Sequence, residues 1–433
     1  MKRFLNKLRG SEFVAASTLT AISTAVKMIS LFVISKVIAG KVGPEGLGIV
    51  GQISSFVALV MGFSTGAINN GIITLVAANK GDKSEIYCII KAAIIITLLC
   101  SSILSLSLIF MAPQACYYLL HIDSGYIPII RLFGFTLFFY SINSISLSII
   151  NGEKDFKTFN IINMISSAVS LAFSLVLIHY YGLKGALFAM VSHQSIVFLI
   201  LLFFMSKVYV FNGDIWKSMV NKSHFYKLFG YSMMAIVSIS ILPSVQIFVR
   251  NLILNTSGNS EVGLYEAITR LSGIYITFLT TVLSVYYMPR LAETKSCKDV
   301  SGVIFRFYKI IIPLLLLLTS VIYFSRNIII ELVFAQSFLS MGNLFLPQLA
   351  GDIFKILSWV LALQMMAKAS TKLFITTELV AGLLLFICSL VLIPLTGALG
   401  AVYAYMLNYI GYFLLMIFLY RKTLFYNYYA SHS

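Results

Sequence analysis

Residues 174–193, SLVLIHYYGLKGALFAMVSH, and residues 389–408, SLVLIPLTGALGAVYAYMLN, carry one pattern at two places 215 positions apart. The run Ser174–Ile178 recurs unchanged as Ser389–Ile393, and Gly182-Leu183-Lys184-Gly185-Ala186 is answered by Gly397-Ala398-Leu399-Gly400-Ala401. Ala189 matches Ala404, Lys157 and Phe159 match Lys372 and Phe374, and Gly48 matches Gly263 at the same offset; Lys36 matches Arg250 one position short of it. A common offset across this much chain points to an internal duplication. Both copies sit in apolar runs, so the duplicated unit is itself hydrophobic.

The surrounding chain agrees. Of 433 residues, 59% are apolar and 11% charged, whereas a soluble protein carries about 25% charged residues. There is too little polar surface to cover a soluble core of this size, which excludes a set of cytosolic domains and almost any soluble enzyme. Spanning helices need about 20 mainly apolar residues. Twelve such runs are found, near 13–38, 47–78, 87–112, 126–150, 158–179, 184–206, 228–249, 263–288, 303–324, 344–366, 373–393 and 398–420. They leave only short connections. The runs are too long for the strands of a membrane barrel. The N-terminal MKRFLNKLRG resembles the basic start of a signal peptide, but the run after it is long and lacks a small-residue cleavage site, so it is read as a retained first helix.

The expected fold is therefore an all-α polytopic membrane protein. Its twelve transmembrane helices form two six-helix bundles, residues 1–210 and 211–433, related by a parallel internal repeat. An even number of helices per half gives both halves the same orientation, an arrangement of secondary transporters that work by alternating access around a site near the midplane. The chain holds 31 Lys and Arg against 15 Asp and Glu. Sorted by loop, 22 of the basic residues fall on the side of the N-terminus and 5 on the other, with four more inside helices. The positive-inside rule then places both termini in the cytoplasm.

Ionisable residues inside spans are costly and carry the functional expectations. Lys27 lies about 14 residues into the first helix, roughly 21 Å along it, too deep to snorkel and with no acidic residue within a turn. Lys36 and Arg250 lie near outer helix ends, where either snorkelling or a shared role across the repeat would explain them. Glu266 and Arg270 are spaced i,i+4 and Asp352 and Lys355 i,i+3, so each pair can meet on one helix face. Glu378 has no close helical partner, and with Asp352 it is the carboxylate suited to coupling by H⁺ or Na⁺. His193, which corresponds to Asn408 across the repeat, is either a helix-to-helix hydrogen bonder or a proton carrier. Pro243 removes a backbone donor within helix 7. Lys27, Lys36, Arg250, Arg270 and Lys355 outnumber Glu266, Asp352 and Glu378, which favours an anionic substrate.

Other motifs carry less. Gly46-Leu47-Gly48-Ile49-Val50-Gly51 fits a dinucleotide-binding pattern, but it follows a membrane helix rather than a strand. Five scattered cysteines (Cys88, Cys100, Cys116, Cys297 and Cys388) offer no disulfide framework or metal site and read as packing residues. No nucleic-acid partner and no resident cofactor is expected.

Several stretches together resemble one family. Lys36-Val37-Ile38-Ala39, Gly43-Pro44-Glu45-Gly46-Leu47-Gly48 and Gln52 look like the first-helix signature of the O-antigen and enterobacterial common antigen flippases. Glu261-Val262-Gly263, Ser284-Val285-Tyr286 and Pro289 resemble the same family. So do Gln348-Leu349-Ala350-Gly351-Asp352-Ile353-Phe354-Lys355, Ala367-Lys368-Ala369-Ser370, Glu378, and Ala404-Tyr405-Met406. The resemblance covers essentially the whole chain, and its most specific part runs from Gly351-Asp352 and Lys355 to Ala367–Ser370. It implies a Wzx-type member of the multidrug/oligosaccharidyl-lipid/polysaccharide exporter (MOP) superfamily, in the bacterial inner membrane. Such proteins move undecaprenyl-diphosphate-linked oligosaccharide units to the periplasmic leaflet, without being enzymes, on an H⁺ or Na⁺ gradient. By this reading the five cations Lys27, Lys36, Arg250, Arg270 and Lys355 face the diphosphate, and Asp352, Glu378 and His193 serve ion coupling. The protein would act as a monomer in the bilayer, near polysaccharide polymerase machinery. Two alternatives are a drug or small-cation exporter, which would want an acid-lined cavity, and a membrane polysaccharide polymerase, which would want a large periplasmic loop. The outer connections near 113–126 and 325–343 are short and carry few charges.

Overall fold

A computed structural model describes the backbone of residues 2–203, 213–293, 297–367 and 370–424. Side chains are described within residues 18–424, outside 194, 234, 366–367, 422–423 and most of 282–298. The described chain is helical throughout, with no strand. The helices are α1 (Lys2–Ser64), α2 (Asn69–Ala78), α3 (Lys83–Phe110), α4 (Ala112–Gln114), α5 (Ile127–Gly152), α6 (Phe156–Phe203), α7 (Gly213–Lys217) and α8 (Lys222–Ser257). They continue as α9 (Asn259–Glu293), α10 (Cys297–Phe324), α11 (Arg326–Val333), α12 (Phe345–Ala367), α13 (Thr371–Thr396) and α14 (Ala398–Leu424).

Among the described residues, nine helices are long and apolar enough to cross a membrane. The protein is a multi-pass membrane protein. Large apolar side chains such as Leu99, Ile103, Leu317 and Phe324 are exposed on these helices, which water would penalise and lipid accepts. Polar side chains within the spans turn back on their own helix, as Ser141 Oγ does on Leu137 O and Thr319 Oγ1 on Leu315 O. That habit satisfies a hydroxyl where no water is available.

Two long helices do not run straight. α1 turns at Gly43, at φ 64° and ψ −170°, immediately before Pro44. α6 turns at Gly182, at φ 54° and ψ −128°. Gly397, which separates α13 from α14, has φ 61° and ψ −131°, nearly the geometry of Gly182. These angles suit glycine because they carry no Cβ penalty there.

The chain divides into two compact units, residues 1–41 with 52–247 and residues 42–51 with 248–433. The 210/211 boundary expected from the sequence lies outside the described residues. In the first unit, Ile72, Ile89, Ile90, Ile145 and Ile149 of α2, α3 and α5 form the core, and Ile215 of α7 and Leu228 of α8 join it. Glu85 of α3 fixes that docking: it accepts from Lys227 Nζ at 2.9 Å and lies 3.1 Å from His224 Nε2. Lys91 Nζ donates to the carbonyls of Trp216 and Ser218, both at 2.8 Å. Residues 213–247, which the sequence assigned to the second bundle, therefore pack with the first unit. In the second unit α12 packs against α9, α10 and α14, with Ile276, Ile304, Ile311, Ile356, Val360 and Met416 in its core.

Candidate functional site

The polar groups of the first unit converge on a cavity of about 310 Å³ lined from α1, α5 and α6. α1 contributes Lys27 and Ser30, and α5 contributes Tyr140 and Asn143. α6 adds Asn163, Ser166, Ser167 and Ser170 from before its turn at Gly182, and His193 from after it. The spacing of 163, 166, 167 and 170 puts those four on one helix face. Their local bonds are made within the helix: Asn163 Nδ2 donates to Phe159 O at 2.9 Å and Ser167 Oγ to Asn163 O at 2.8 Å. His193 Nδ1 lies 2.9 Å from Met190 O. Ser166 Oγ is buried with no hydrogen-bond partner. Among the described residues no carboxylate lines this cavity, none forms an ion pair with Lys27, and Lys27 is the one cation in the lining.

The second unit is built the opposite way. Arg250 is only 3% exposed, so it does not snorkel. Its Nη2 lies 2.7 Å and its Nε 3.1 Å from Glu266 Oε2, while Arg270 Nε lies 2.5 Å from the other oxygen of the same carboxylate. One carboxylate thus serves two guanidiniums. Gly51 leaves the space for it, since a Cβ there would collide with the Glu266 carboxylate. The i,i+4 pairing of Glu266 with Arg270 was legible in the sequence; the larger part taken by Arg250, sixteen residues away, was not.

Asp352 of α12 is buried and enclosed by donors. Ser272 Oγ lies 2.8 Å from both of its oxygens, Tyr405 OH donates at 2.7 Å and Gln348 Nε2 at 3.2 Å, and Tyr275 OH donates as well. Lys355 does not pair with it, contrary to the expectation from the i,i+3 spacing. Its Nζ lies over the rings of Tyr405 and Tyr409, 5.4 and 5.1 Å from their centroids. Glu378 of α13 is partly buried. Asn408 is buried, with its Oδ1 unpartnered.

The structure therefore brings Lys27 together with His193, and Arg250 with Arg270. It places Asp352 one turn from Lys355 without an ion pair. Lys36 is exposed and does not line the cavity. The hydroxyl groups around Asp352 and along α6 were missed because only ionisable residues were weighed. Their signals were present: Gln348 and Tyr405 belong to the stretches that carry the family resemblance, and the α6 face has helical spacing. Among the described residues no cluster of His, Cys, Asp and Glu could hold a metal ion. The four described cysteines are unpaired. Cys297 and the motif residues Ser284, Val285, Tyr286, Pro289, Ala367, Lys368 and Ala369 lie outside the described side chains.

The fold matches solved transporters. A multidrug resistance MATE family transporter of the MOP superfamily, in an inward-facing conformation, aligns with a TM-score of 0.75 at 14% identity, covering 93% of this chain and 98% of that one. The lipid II flippase MurJ, inward closed, aligns with a TM-score of 0.72 at 14% identity, covering 94% and 87%. The fold is thus the helical membrane fold that these MOP-superfamily transporters share. Residues 37–343 match the family described as polysaccharide biosynthesis protein, and the chain belongs to that family. Proteins named lipid III flippase from Escherichia coli K12 and Shigella flexneri are each 26% identical to it over 399 residues, 92% of this chain and 95% of theirs.

Proposed function

We propose that this protein is a flippase for undecaprenyl-diphosphate-linked oligosaccharide, carrying it from the cytoplasmic to the periplasmic leaflet of the bacterial inner membrane by alternating access. The observation that carries this reading is the carboxylate-free, hydroxyl-lined cavity around Lys27. A fixed cation without a protein partner inside a membrane domain is held at a cost unless an anion joins it, and a lipid diphosphate supplies one. The lipid III flippases, similar over nearly the full length, support the same cargo class. A cation exporter would put carboxylates in the cavity; the buried carboxylates lie elsewhere, closed in by arginines or hydroxyls.

The architecture we infer is twelve spans in two parallel six-helix halves with both termini cytoplasmic. Two of the nine candidate spans are 47 and 48 residues long, about twice what one crossing needs, and each turns at a glycine. α9 adds a further long helix. The matched backbone of Gly182 and Gly397, 215 positions apart, supports the repeat. Lys27 is the diphosphate contact; of the other cations expected from the sequence, Lys36 does not line its cavity, Arg250 and Arg270 are held by Glu266, and Lys355 lies over two tyrosine rings, so these four are not its partners in holding the diphosphate. H⁺ or Na⁺ coupling falls to Asp352 and Glu378, with His193 beside the cargo. The cargo is an O-antigen repeat unit; the lipid III flippases favour that lipid as the second reading. The protein acts as a monomer near the polymerase.

Deletion of the gene in a strain without a redundant flippase tests this reading. Undecaprenyl-linked units are expected to accumulate in the cytoplasmic leaflet. Normal surface polysaccharide in that strain would reject the reading.

A further inference from the structure

A second cavity of the first unit plays no part in the function proposed above. α3 contributes Ile94, Thr97 and Leu98 to it, and α5 contributes Phe138, Ile142 and Ile145. Each set has helical spacing and forms one stripe. The two stripes enclose a groove of about 320 Å³, and Trp216 of α7 completes its lining. Lys91, one turn before Ile94, donates to the carbonyls of Trp216 and Ser218, so Trp216 stands at the polar end of the groove. Thr97 is the one hydroxyl of the lining, and it is spent on Thr65 O at 3.3 Å. Apart from the Trp216 indole N–H, the walls therefore offer only hydrocarbon. We propose that this groove holds one acyl chain of an anionic phospholipid, with the headgroup phosphate on Lys91 and Lys217.

Charge at the polar end favours an anion. An ammonium has three N–H donors, and the two bonds of Lys91, both at 2.8 Å, go to neutral carbonyls that do not cancel its charge. Lys217 adjoins Trp216, and its side chain is 83% exposed. Its ion pair with Asp214, at 3.7 Å and on the surface, is of the weak kind. Glu85, the acid of the same helix as Lys91, is already taken by Lys227 and His224. Trp216 itself is 56% exposed, and an indole, apolar in body with one polar N–H, suits the boundary between headgroups and hydrocarbon. The rival occupant is the cargo's own chain, and α5 stands in its way. On the flippase reading, on which this step rests, the diphosphate sits with Lys27, whose cavity takes Tyr140, Asn143, Ser144 and Leu147 from α5. At about 3.6 residues per turn, those four lie on the face of α5 opposite Phe138, Ile142 and Ile145. A chain tied to that diphosphate would have to pass around α5 to reach the groove.

Trp216 and Trp359 are the two tryptophans of the chain, so Trp359→Phe leaves Trp216 as the single fluorescent reporter. This full-length protein, in phosphatidylcholine nanodiscs, is titrated with phosphatidylglycerol brominated along its acyl chains, which quenches an indole on contact. Brominated phosphatidylcholine is the parallel probe. The anionic lipid is expected to quench at about tenfold lower mole fraction, the worth of one or two lysines near an anionic headgroup. Lys91→Gln and Lys217→Gln should each shrink that advantage to about twofold, and Ile142→Phe, which fills the groove, should abolish it. Should the phenylalanine variant fail to fold, Lys217→Gln changes only an exposed side chain and decides alone. Equal quenching by the two lipids, or an advantage that survives these substitutions, would overturn the lipid site. So would displacement of the quencher by unbrominated undecaprenyl diphosphate as readily as by unbrominated phosphatidylglycerol, which would make the cargo chain the occupant. None of these results touches the flippase reading, which the gene deletion tests separately.

Discussion

The two units solve one problem, polar groups inside a membrane, in opposite ways. In the second unit the ionic groups are enclosed by other protein groups: Glu266 by Arg250 and Arg270, Asp352 by four side chains, Lys355 by two tyrosine rings. In the first unit Lys27, which has no ion-pair partner among the described residues, shares its cavity with hydroxyls and amides. Positions 215 apart sharpen the contrast. Tyr140, Asn163 and His193 are answered by Lys355, Glu378 and Asn408, and buried Phe133 and Leu137 by Gln348 and Asp352. A count of five cations against three carboxylates therefore overstates the free positive charge of the second unit. On the function proposed above, the difference assigns cargo recognition to the neutral-polar cavity of the first unit, and conformation and ion coupling to the closed networks of the second.

Three single substitutions and one paired glycine comparison probe this contrast, beginning with the largest effect. Glu266→Ala leaves two guanidiniums, one fully buried, without their anion; such a break costs about 3–5 kcal/mol. Thermal unfolding of the purified protein should show a large fall in midpoint, and an unchanged midpoint would mean that the triad is not closed. Lys27→Ala should leave protein level and unfolding temperature intact while lowering transport at least about tenfold, about 1.4 kcal/mol, read as surface polysaccharide restored in a deletion strain. Equal activity would make Lys27 a structural residue. Asp352→Asn keeps the size and removes the charge, turning one accepting oxygen into an amide donor. Transport should lose its dependence on the ion gradient while undecaprenyl diphosphate binding stays within about twofold, the reverse of Lys27→Ala.

The smallest effect compares the two glycine turns directly. Alanine is strained at either backbone, by about 1–3 kcal/mol. At Gly182 a Cβ meets nothing within 4 Å, whereas at Gly397 it comes within 2.6 Å of Ser257 Oγ. Gly397→Ala should lower the unfolding temperature more than Gly182→Ala. The opposite order would show that the second turn relaxes more readily than its packing indicates.

Much of the fold was legible in the sequence. Apolar runs of spanning length located the long helices, and Gly182 and Gly397, already matched by the repeat, proved to be the turns. What the sequence hid was the crossing of elements between units. The stretch 42–51 packs in the second unit although its neighbours on both sides belong to the first, and residues 213–247 join the first through Glu85, His224 and Lys227. Hydropathy reports burial in lipid, not which helices meet. The site was half legible for the same reason. Charge marked Lys27, Asp352 and Glu266, and helical spacing found the Glu266–Arg270 pair. The long-range partners Arg250, Ser272, Tyr275 and Tyr405 required the packing of α8, α9, α12 and α14. Serine and asparagine, unremarkable one at a time, form a surface only when α5 and α6 come together.

The division of labour rests on where the diphosphate binds. The most direct measurement is equilibrium binding of undecaprenyl diphosphate to Lys27→Gln and Lys355→Gln proteins in nanodiscs, each removing one positive charge from one unit. Affinity should fall at least about tenfold, about 1.4 kcal/mol, for Lys27→Gln and stay within about twofold for Lys355→Gln. A loss at Lys355 with Lys27→Gln unaffected would place the cargo in the second unit and contradict the account.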